Sequence, residues 1–173
     1  MDMDTLKAKI RHVPDFPKAG ILFYDITTLL QDAAGFRMAV DSLALPFKDL
    51  GIDVVVGIES RGFIFGAAVA DRLGAGFTPV RKPGKLPSTT VRATYDLEYG
   101  TDSLEIHHDG VTPGQRVLVV DDLLASGGTA RATTDLVKRL GGEVHALAFL
   151  IELVALSGRA KLPGERVHAV LQY

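Results

Sequence analysis

Two short apolar runs, each with a helical pattern after it in the chain, constrain the fold of this 173-residue chain more than any other feature. The first lies within residues 53–58 and the second within residues 116–120. Neither run alternates with polar residues, which indicates strands that are buried on both faces. We expect helices over residues 62–73 and 129–140 to follow them. This alternation predicts an α/β fold with a mostly parallel central sheet flanked by helices.

The rest of the chain carries weaker signals for secondary structure. Apolar residues at helical spacing, and the prolines that interrupt them, set most of the predicted boundaries. These patterns predict helices over residues 2–12 and 33–45, an extended piece over 21–23, and strands over 76–80 and 144–151. Between residues 81 and 116 the order weakens, and we expect a long functional loop at the start of that stretch.

Composition excludes several classes of protein. Hydrophobic residues make up 47% of the chain and charged residues 23%, which excludes a disordered protein. The net charge of −2 argues against a nucleic-acid coat or a membrane-surface protein, since both need a basic excess. The absence of cysteine rules out disulfides, thiolate zinc sites and cysteine nucleophiles. Because no signal-peptide pattern or long apolar run is present, we expect a cytoplasmic protein.

The segment that follows the second apolar run is the most informative for function. There the strand leads into Asp121 and Asp122, and the chain then turns through residues 126–129 (Ser-Gly-Gly-Thr) into a helix. Small residues let the backbone approach a ligand closely, and a helix N-terminus directs unpaired N–H groups and a positive dipole at it. Ser126 and Thr129 add hydroxyl donors. The turn therefore predicts a site for a phosphate monoester.

The two acids before this turn have a different expected task. They lie at the carboxyl end of a parallel strand, which is where open α/β sheets bind ligands. Because carboxylates repel a phosphate, we expect them to accept hydrogen bonds from sugar hydroxyls. The alternative is that Asp122 caps the helix and Asp121 is an ordinary solvated acid. The segment is neither a Walker loop, which needs Gly-Lys-Ser/Thr, nor a Gly-x-Gly-x-x-Gly dinucleotide fingerprint.

Residues 117–129, which read VLVVDDLLASGGT, resemble the phosphoribosyl pyrophosphate (PRPP) motif of the type I phosphoribosyltransferase family. The resemblance implies that family's fold, with a small N-terminal hood and a flexible lid loop. It also implies that Asp121 and Asp122 hold the ribose hydroxyls of PRPP. The residues implied around its 5′-phosphate are Ala125, Ser126, Gly127, Gly128 and Thr129.

Four further stretches resemble the adenine phosphoribosyltransferase branch of that family. They are residues 16–26 (FPKAGILFYDI), 58–63 (IESRGF), 81–87 (RKPGKLP) and 97–100 (LEYG). The resemblance implies transfer of the 5-phosphoribosyl group of PRPP to adenine, which gives AMP and pyrophosphate. The residues that follow the PRPP motif agree with the family only in general character.

Two separate segments predict the pyrophosphate site. The stretch from Glu59 to Gly62 lies between a buried strand and a helix, and the resemblance implies a pyrophosphate loop there, with a non-proline cis peptide near Glu59-Ser60. The three cations at residues 81–85 would by themselves favour a solvated face, but beside a pyrophosphate they can offset the charge of the leaving group. The residues predicted to bind pyrophosphate are Ser60, Arg61, Arg81, Lys82, Lys85 and His107.

Glu98 is the residue predicted to carry acid–base work, and Arg61 is the second predicted catalytic residue. The reaction passes through a transition state with oxocarbenium character. It therefore calls for a negative group nearby and for a group that handles transfer of the ring proton of the base. The resemblance implies that Glu98 contacts the purine from the lid and that Tyr99 helps to close the lid. The alternative is that Glu98 only solvates a strand edge.

The N-terminal segment is expected to choose the base. Backbone groups around residues 21–25 can match the amino donor and ring acceptor of adenine, whereas a 6-oxo purine would leave a buried group unpaired at about 1 to 3 kcal/mol. The residues predicted to contact adenine are Leu22, Phe23, Tyr24 and Leu123. Ala19 and Tyr24 stand where the family usually has proline and a basic residue, and Ser126 replaces a common threonine.

One phosphoribosyltransferase domain is expected over residues 1–173, with the hood and base-recognition segment at about 1–32 and the flexible loop at about 81–100. Magnesium is the implied cofactor, held mainly by oxygens of PRPP and pyrophosphate, so no protein ligand is predicted. The expected partners are adenine, PRPP, AMP, pyrophosphate and a second copy of the chain, with no nucleic acid and no membrane. The alternatives are a phosphoribosyltransferase for another base and a non-catalytic PRPP-sensing regulator.

Overall fold

The computed structural model describes residues 2–97 and 99–173. It divides the chain into two compact units, Met1–Ser42 and Leu43–Tyr173. Among the described residues, none of the helices combines the length and the apolar character that crossing a bilayer would require.

The first unit carries a small antiparallel sheet and three helices. Its elements are α1 (Met3–Ala8), β1 (Arg11–Pro14), β2 (Leu22–Asp25), α2 (Thr27–Leu30) and α3 (Ala33–Ala44), the last of which ends just inside the second unit. The helix predicted over residues 2–12 is therefore too long. Arg11 starts a strand instead, because it pairs with β2 and its guanidinium donates to Asp25 Oδ2 at 2.6 Å.

The second unit is built around five parallel strands. Its strands are β3 (Val54–Ile58), β4 (Gly76–Val80), β5 (Thr90–Asp96), β6 (Thr101–His107), β7 (Arg116–Leu124), β8 (Glu143–Glu152) and β9 (Val167–Gln172), and its helices are α4 (Arg61–Leu73) and α5 (Gly128–Arg139). Short 3-10 helices lie at Leu45–Phe47, Val154–Leu156 and Gly158–Lys161. The strand order β4-β3-β7-β8-β9 confirms the predicted parallel sheet flanked by helices.

The apolar side chains of the central strands alternate between two packed faces. On one face, Val56 and Val119 belong to a buried cluster that includes Leu136 of α5 and Leu104 of β6. Gly57 faces the other way, since neighbouring strand residues point to opposite sides of a sheet. There α4 packs so closely that a Cβ on its Gly66 would lie 3.3 Å from the Cα of Gly57. Both faces are covered, which is why these strands lack polar alternation.

Three parts of the second unit differ from the prediction. Strand β7 continues through Asp121 and Asp122 to Leu124, whereas the predicted apolar strand pattern ended at Val120. The strand is longer because β8 pairs with these extra residues. The segment expected to lack order contains an antiparallel hairpin of β5 and β6. Strand β9 was not predicted.

The order of the strands fixes where a ligand can bind. Strands β3 and β7 are neighbours, and the chain leaves β3 through α4 towards β4 but leaves β7 through α5 towards β8, on the other side. The connections after the two strands therefore diverge, which opens a crevice at their carboxyl ends.

Candidate active site

A cavity of about 810 Å³ lies at the carboxyl ends of β3 and β7. This volume falls within the roughly 300 to 1,000 Å³ of small-molecule sites and is large enough for a nucleotide. The connection after β3, the end of β7, the turn into α5 and the β5–β6 hairpin form its wall. The lining residues are Glu59, Ser60, Arg61, Tyr95, Asp96, Leu97, Lys161 and all of residues 121–129.

Asp121 and Asp122 are almost completely buried at one side of the cavity. The backbone N–H of Asp122 donates to Asp121 Oδ1 at 2.8 Å, and Arg61 Nε donates to Asp122 Oδ2 at 2.6 Å. Burial, together with the adjacent Asp122 carboxylate, raises the pKa of Asp121 well above its usual value. The free protein therefore stabilises two ionised carboxylates poorly at this point, and a ligand that brings hydroxyl donors would stabilise them.

The turn into α5 lines the same cavity as the acids. Gly127 caps the helix with φ +92°, a left-handed conformation that favours glycine. The ring of Tyr95 packs so closely that a Cβ on Gly128 would lie 3.0 Å from its Cδ2. Helix α5 starts at Gly128, so its first N–H groups lie in the turn that lines the cavity.

The connection after β3 is organised by the side chain of Glu59. Its peptide bond to Ser60 is cis, as the resemblance implied. Its carboxylate accepts hydrogen bonds from the Lys82 backbone N–H at 2.8 Å, from Lys85 Nζ at 2.9 Å and from Arg81 Nε at 3.3 Å. Burial of Glu59 opposes its ionisation, but these donors outweigh burial, and the pKa lies below the usual value. Glu59 therefore holds the side chains of Arg81 and Lys85 and the backbone of Lys82 in place.

Replacing Glu59 with glutamine is expected to reduce the free energy of unfolding by about 1 kcal/mol at neutral pH, since its cationic partners are partly exposed to solvent. The folded-state pKa of Glu59 is lowered, so its stabilising effect is present above the unfolded pKa and is lost as the pH falls through the folded value. Urea unfolding at about pH 7 and pH 3.5 measures this loss. Glu143→Gln, at an exposed site, is the matched control, and a difference from wild type that is equal at both pH values would contradict the prediction.

The predicted pyrophosphate residues fall into two groups. Ser60 and Arg61 line the cavity. Arg81, Lys82, Lys85 and His107 are not among its described lining residues. Lys82 Nζ pairs with Asp102, and the Ser88 backbone N–H donates to His107 Nε2 at 3.2 Å. These side chains have protein partners in this state of the molecule.

The remaining predicted residues lie in different places. Leu123 lines the cavity, whereas Leu22, Phe23 and Tyr24 form most of β2 in the first unit. Tyr99 is 88% exposed and is not among the described lining residues. Glu98 lies outside the described residues.

Sequence reasoning did not assign the cavity residues Glu59, Tyr95, Asp96, Leu97, Leu124 and Lys161. Alternation at Val91, Ala93 and Tyr95 could have predicted the strand that carries Tyr95 and Asp96 and leads into Leu97. Glu59 directly precedes Ser60 and Arg61, which were predicted to bind pyrophosphate, and its position next to them could have indicated it. Lys161 is distant in sequence from every other lining residue, and no local signal indicates its position.

Comparison with known proteins assigns the chain to a family. A family model for the phosphoribosyl transferase domain matches residues 29–166. The adenine phosphoribosyltransferase of Acidobacterium capsulatum is 59% identical over 173 residues, which cover 100% of this chain and 96% of that protein.

Solved structures agree with that sequence match. A crystal structure of adenine phosphoribosyltransferase from Thermoanaerobacter pseudethanolicus has a TM-score of 0.96 and 51% identity, covering 99% of this chain and 100% of that one. The Saccharomyces cerevisiae enzyme, complexed with adenine and an imino-altritol bisphosphate, has a TM-score of 0.92 and 40% identity, with 98% of each chain covered. This chain therefore belongs to the phosphoribosyl transferase family and, within it, to the adenine phosphoribosyltransferases.

Proposed function

We propose that this chain transfers the 5-phosphoribosyl group of PRPP to adenine, giving AMP and pyrophosphate. The convergence of Asp121, Asp122 and residues 126–129 on one cavity carries the proposal. Carboxylates suit sugar hydroxyls and a helix N-terminus suits a phosphate, so the two groups together fit a ribose phosphate. The family supplies the base and the reaction, and it makes the chain a pentosyl transferase of purine salvage.

Asp121 and Asp122 accept hydrogen bonds from the ribose hydroxyls in this proposal. The raised pKa of Asp121 supports it, because hydroxyl donors would stabilise the ionised pair that the free protein stabilises poorly. Sugar binding should therefore lower the pKa of Asp121 and weaken as the pH falls. In the same cavity, the 5′-phosphate is bound by the N–H groups of the turn and by the hydroxyls of Ser126 and Thr129.

The leaving pyrophosphate is proposed to contact Ser60 and Arg61 first, since both line the cavity. Arg81 and Lys85 are held by Glu59, and Lys82 is held by Asp102. These cations contribute by exchanging a carboxylate partner for a phosphate oxygen when PRPP binds, and His107 joins them. The exchange keeps each cation paired throughout, which limits the desolvation cost of binding.

The chemical step is a displacement at the anomeric carbon. A ring nitrogen of adenine forms the new bond while the bond to pyrophosphate breaks, and the ring proton leaves the base. Glu98 is the proposed acceptor of that proton and the negative group beside the oxocarbenium-like sugar. Its chain neighbour Leu97 lines the cavity, which supports the assignment. Arg61 offsets the charge that develops on pyrophosphate, and Tyr99 helps the lid at about residues 81–100 to close.

Adenine recognition is assigned to backbone groups of the segment that contains Leu22, Phe23 and Tyr24. This segment belongs to the proposed hood at about residues 1–32, within the single domain of residues 1–173. Leu123 lines the cavity beside Asp122 and supplies an apolar surface for the purine ring.

Magnesium is the proposed cofactor, and oxygens of PRPP and pyrophosphate are its main ligands. Among the described residues, no three acidic or histidine side chains converge as a metal site. Because Asp121 and Asp122 are assigned to the ribose hydroxyls, we expect the ion to arrive with the substrate and to keep substrate oxygens as its ligands. When bound, the ion would offset phosphate charge. We also propose that the protein acts in the cytoplasm as a homodimer.

A panel of bases tests the proposal. Purified protein is incubated with PRPP, magnesium and adenine, hypoxanthine, guanine, xanthine or orotate in turn, and nucleotide products are separated by chromatography. We expect AMP from adenine and at least about 100-fold less product from a 6-oxo purine, because each unpaired buried group costs about 1 to 3 kcal/mol. Turnover of another base with none of adenine, or PRPP binding without any nucleotide formed, would refute the proposal.

A further inference from the structure

The 3-10 helix Gly158–Lys161 supplies part of the cavity wall. It follows the last buried strand residues of β8, far from the PRPP motif in sequence. Lys161 at its end lines the same cavity as residues 125–129. This segment lies in the part of the chain where no motif predicted a site residue.

The 3-10 helix supports the phosphate-binding turn backbone to backbone. A Cβ on Gly127 would lie 2.6 Å from the carbonyl oxygen of Gly158. A Cβ on Gly158 would collide with the carbonyl oxygen of Ala125. Two glycines therefore allow the closest approach between the segments, and a displacement of one would displace the other.

An ion pair between exposed Arg159 and buried Glu152 fixes the 3-10 helix to the sheet. Glu152 ends β8 and is 4% exposed. Arg159 donates to both of its carboxylate oxygens, from Nε to Oε1 at 2.7 Å and from Nη2 to Oε2 at 2.9 Å. Arg159 Nη1 also donates to the Val167 carbonyl oxygen of β9 at 3.1 Å. On the other side, Arg131 of α5 donates to the Lys161 carbonyl oxygen at 3.2 Å. The two-point contact between Arg159 and Glu152 restricts the orientation of the arginine as well as its position.

The charges around the cavity make Lys161 distinctive. Arg61 and Lys161 are the cations among its described lining residues. Arg61 pairs with Asp122, whereas the Lys161 ammonium group has no hydrogen bond or ion pair with any described residue. Residues 125–129 themselves carry no charged side chain. A phosphate dianion in that turn would therefore have a cation beside it that is not committed to a carboxylate.

We propose that Lys161 is a further phosphate-binding residue, which contacts the phosphate monoester held by residues 126–129, and that Arg159 and Glu152 position it. The inference rests on the proposed function only in requiring that the cavity binds a ribose phosphate. It does not depend on which base is used or on the chemical step.

Isothermal titration with ribose 5-phosphate tests the contact directly. We expect Lys161→Met to weaken binding about 10-fold, which is typical of one charge-assisted hydrogen bond, and to reduce the dependence of binding on salt. Lys161→Arg should stay within about threefold of wild type, because it keeps the charge. Lys48→Met removes the same charge from an exposed site away from the cavity and should stay within about twofold. In steady state, Lys161→Met should raise KM for PRPP with little change in kcat or in KM for adenine.

Binding by Lys161→Met within about twofold of wild type overturns the proposal. An equal loss of binding in Lys48→Met also overturns it, because that result would mean that only the net charge of the protein matters.

The positioning role has its own test, a double-mutant cycle with Arg159→Met. If Arg159 acts through Lys161, the double variant binds ribose 5-phosphate no more weakly than the weaker single variant. Additive losses would overturn the positioning role. A wild-type protein that binds ribose 5-phosphate but forms no AMP would refute the proposed function and leave this inference standing.

Discussion

Replacing Asp121 with asparagine is expected to stabilise the protein at neutral pH while lowering kcat/KM for PRPP about 30- to 150-fold. The loss of activity follows from removing a charged acceptor for ribose hydroxyls, at roughly 2 to 3 kcal/mol. The gain in stability follows from removing a carboxylate that is buried against Asp122 and has a raised pKa. This single substitution therefore lowers the activity while it raises the free energy of unfolding.

The sign of the pH dependence follows from that raised pKa. Above the unfolded pKa of about 4, folded Asp121 retains a proton that the unfolded chain has lost. The free energy of unfolding of the wild type therefore falls as the pH rises through the folded pKa of Asp121. Asparagine cannot titrate, so the Tm of Asp121→Asn should match the wild type near pH 4 and exceed it increasingly towards about pH 8.

Scanning calorimetry from about pH 4 to pH 8 measures this difference, and the AMP assay measures the loss of activity. Asp109→Asn is the control, because it removes the same charge from an exposed position. A difference in Tm between Asp121→Asn and wild type that does not vary with pH would contradict the assignment of Asp121 as an electrostatically unfavourable acid.

Replacing Gly127 with alanine is expected to reduce the free energy of unfolding by about 2 to 4 kcal/mol and to lower kcat/KM at least about 100-fold. The backbone at Gly127 has φ +92°, where alanine is strained by about 1 to 2 kcal/mol. The added methyl group would also lie 2.6 Å from the Gly158 carbonyl oxygen, a backbone atom that cannot rotate away. The turn or the 3-10 helix must move, and both line the cavity.

Gly114→Ala separates these two causes. Gly114 has φ +85°, but no atom lies within 4 Å of its added Cβ. It should therefore show only the conformational cost of about 1 kcal/mol and retain full activity. Chemical denaturation and the AMP assay on both variants give the comparison. Equal destabilisation by the two substitutions would mean that the contact with Gly158 contributes nothing.

Local patterns predicted the central strands and helices closely. Strand β4 has the predicted bounds, and α4 and α5 begin within one residue of expectation. These elements are specified locally because buried apolar runs and helical spacing are periodic features of short segments. The turn at residues 126–129 was predicted for the same reason, since its small residues and hydroxyls are consecutive.

The errors of prediction lie where distant segments pair. Strand β1 replaces the end of a predicted helix because it pairs with β2, and β7 extends past Asp122 because β8 runs alongside. Acidic residues are poor strand formers, so only the partner strand makes that extension favourable. The β5–β6 hairpin carried an alternating pattern at Val91, Ala93 and Tyr95, but the basic segment before it favoured a loop.

The sequence by itself determined the parallel α/β sheet, the sugar-phosphate motif and the family, because each depends on consecutive residues whose physical roles are local. Only the tertiary structure decided which side chains share the cavity and which charges are already paired. The tertiary structure brings Lys161 to the same cavity as a turn more than thirty residues earlier in the chain, and it pairs Glu59 with Arg81 and Lys85. Electrostatic interactions act through space and not along the chain, so their partners are known only once the strands have been ordered.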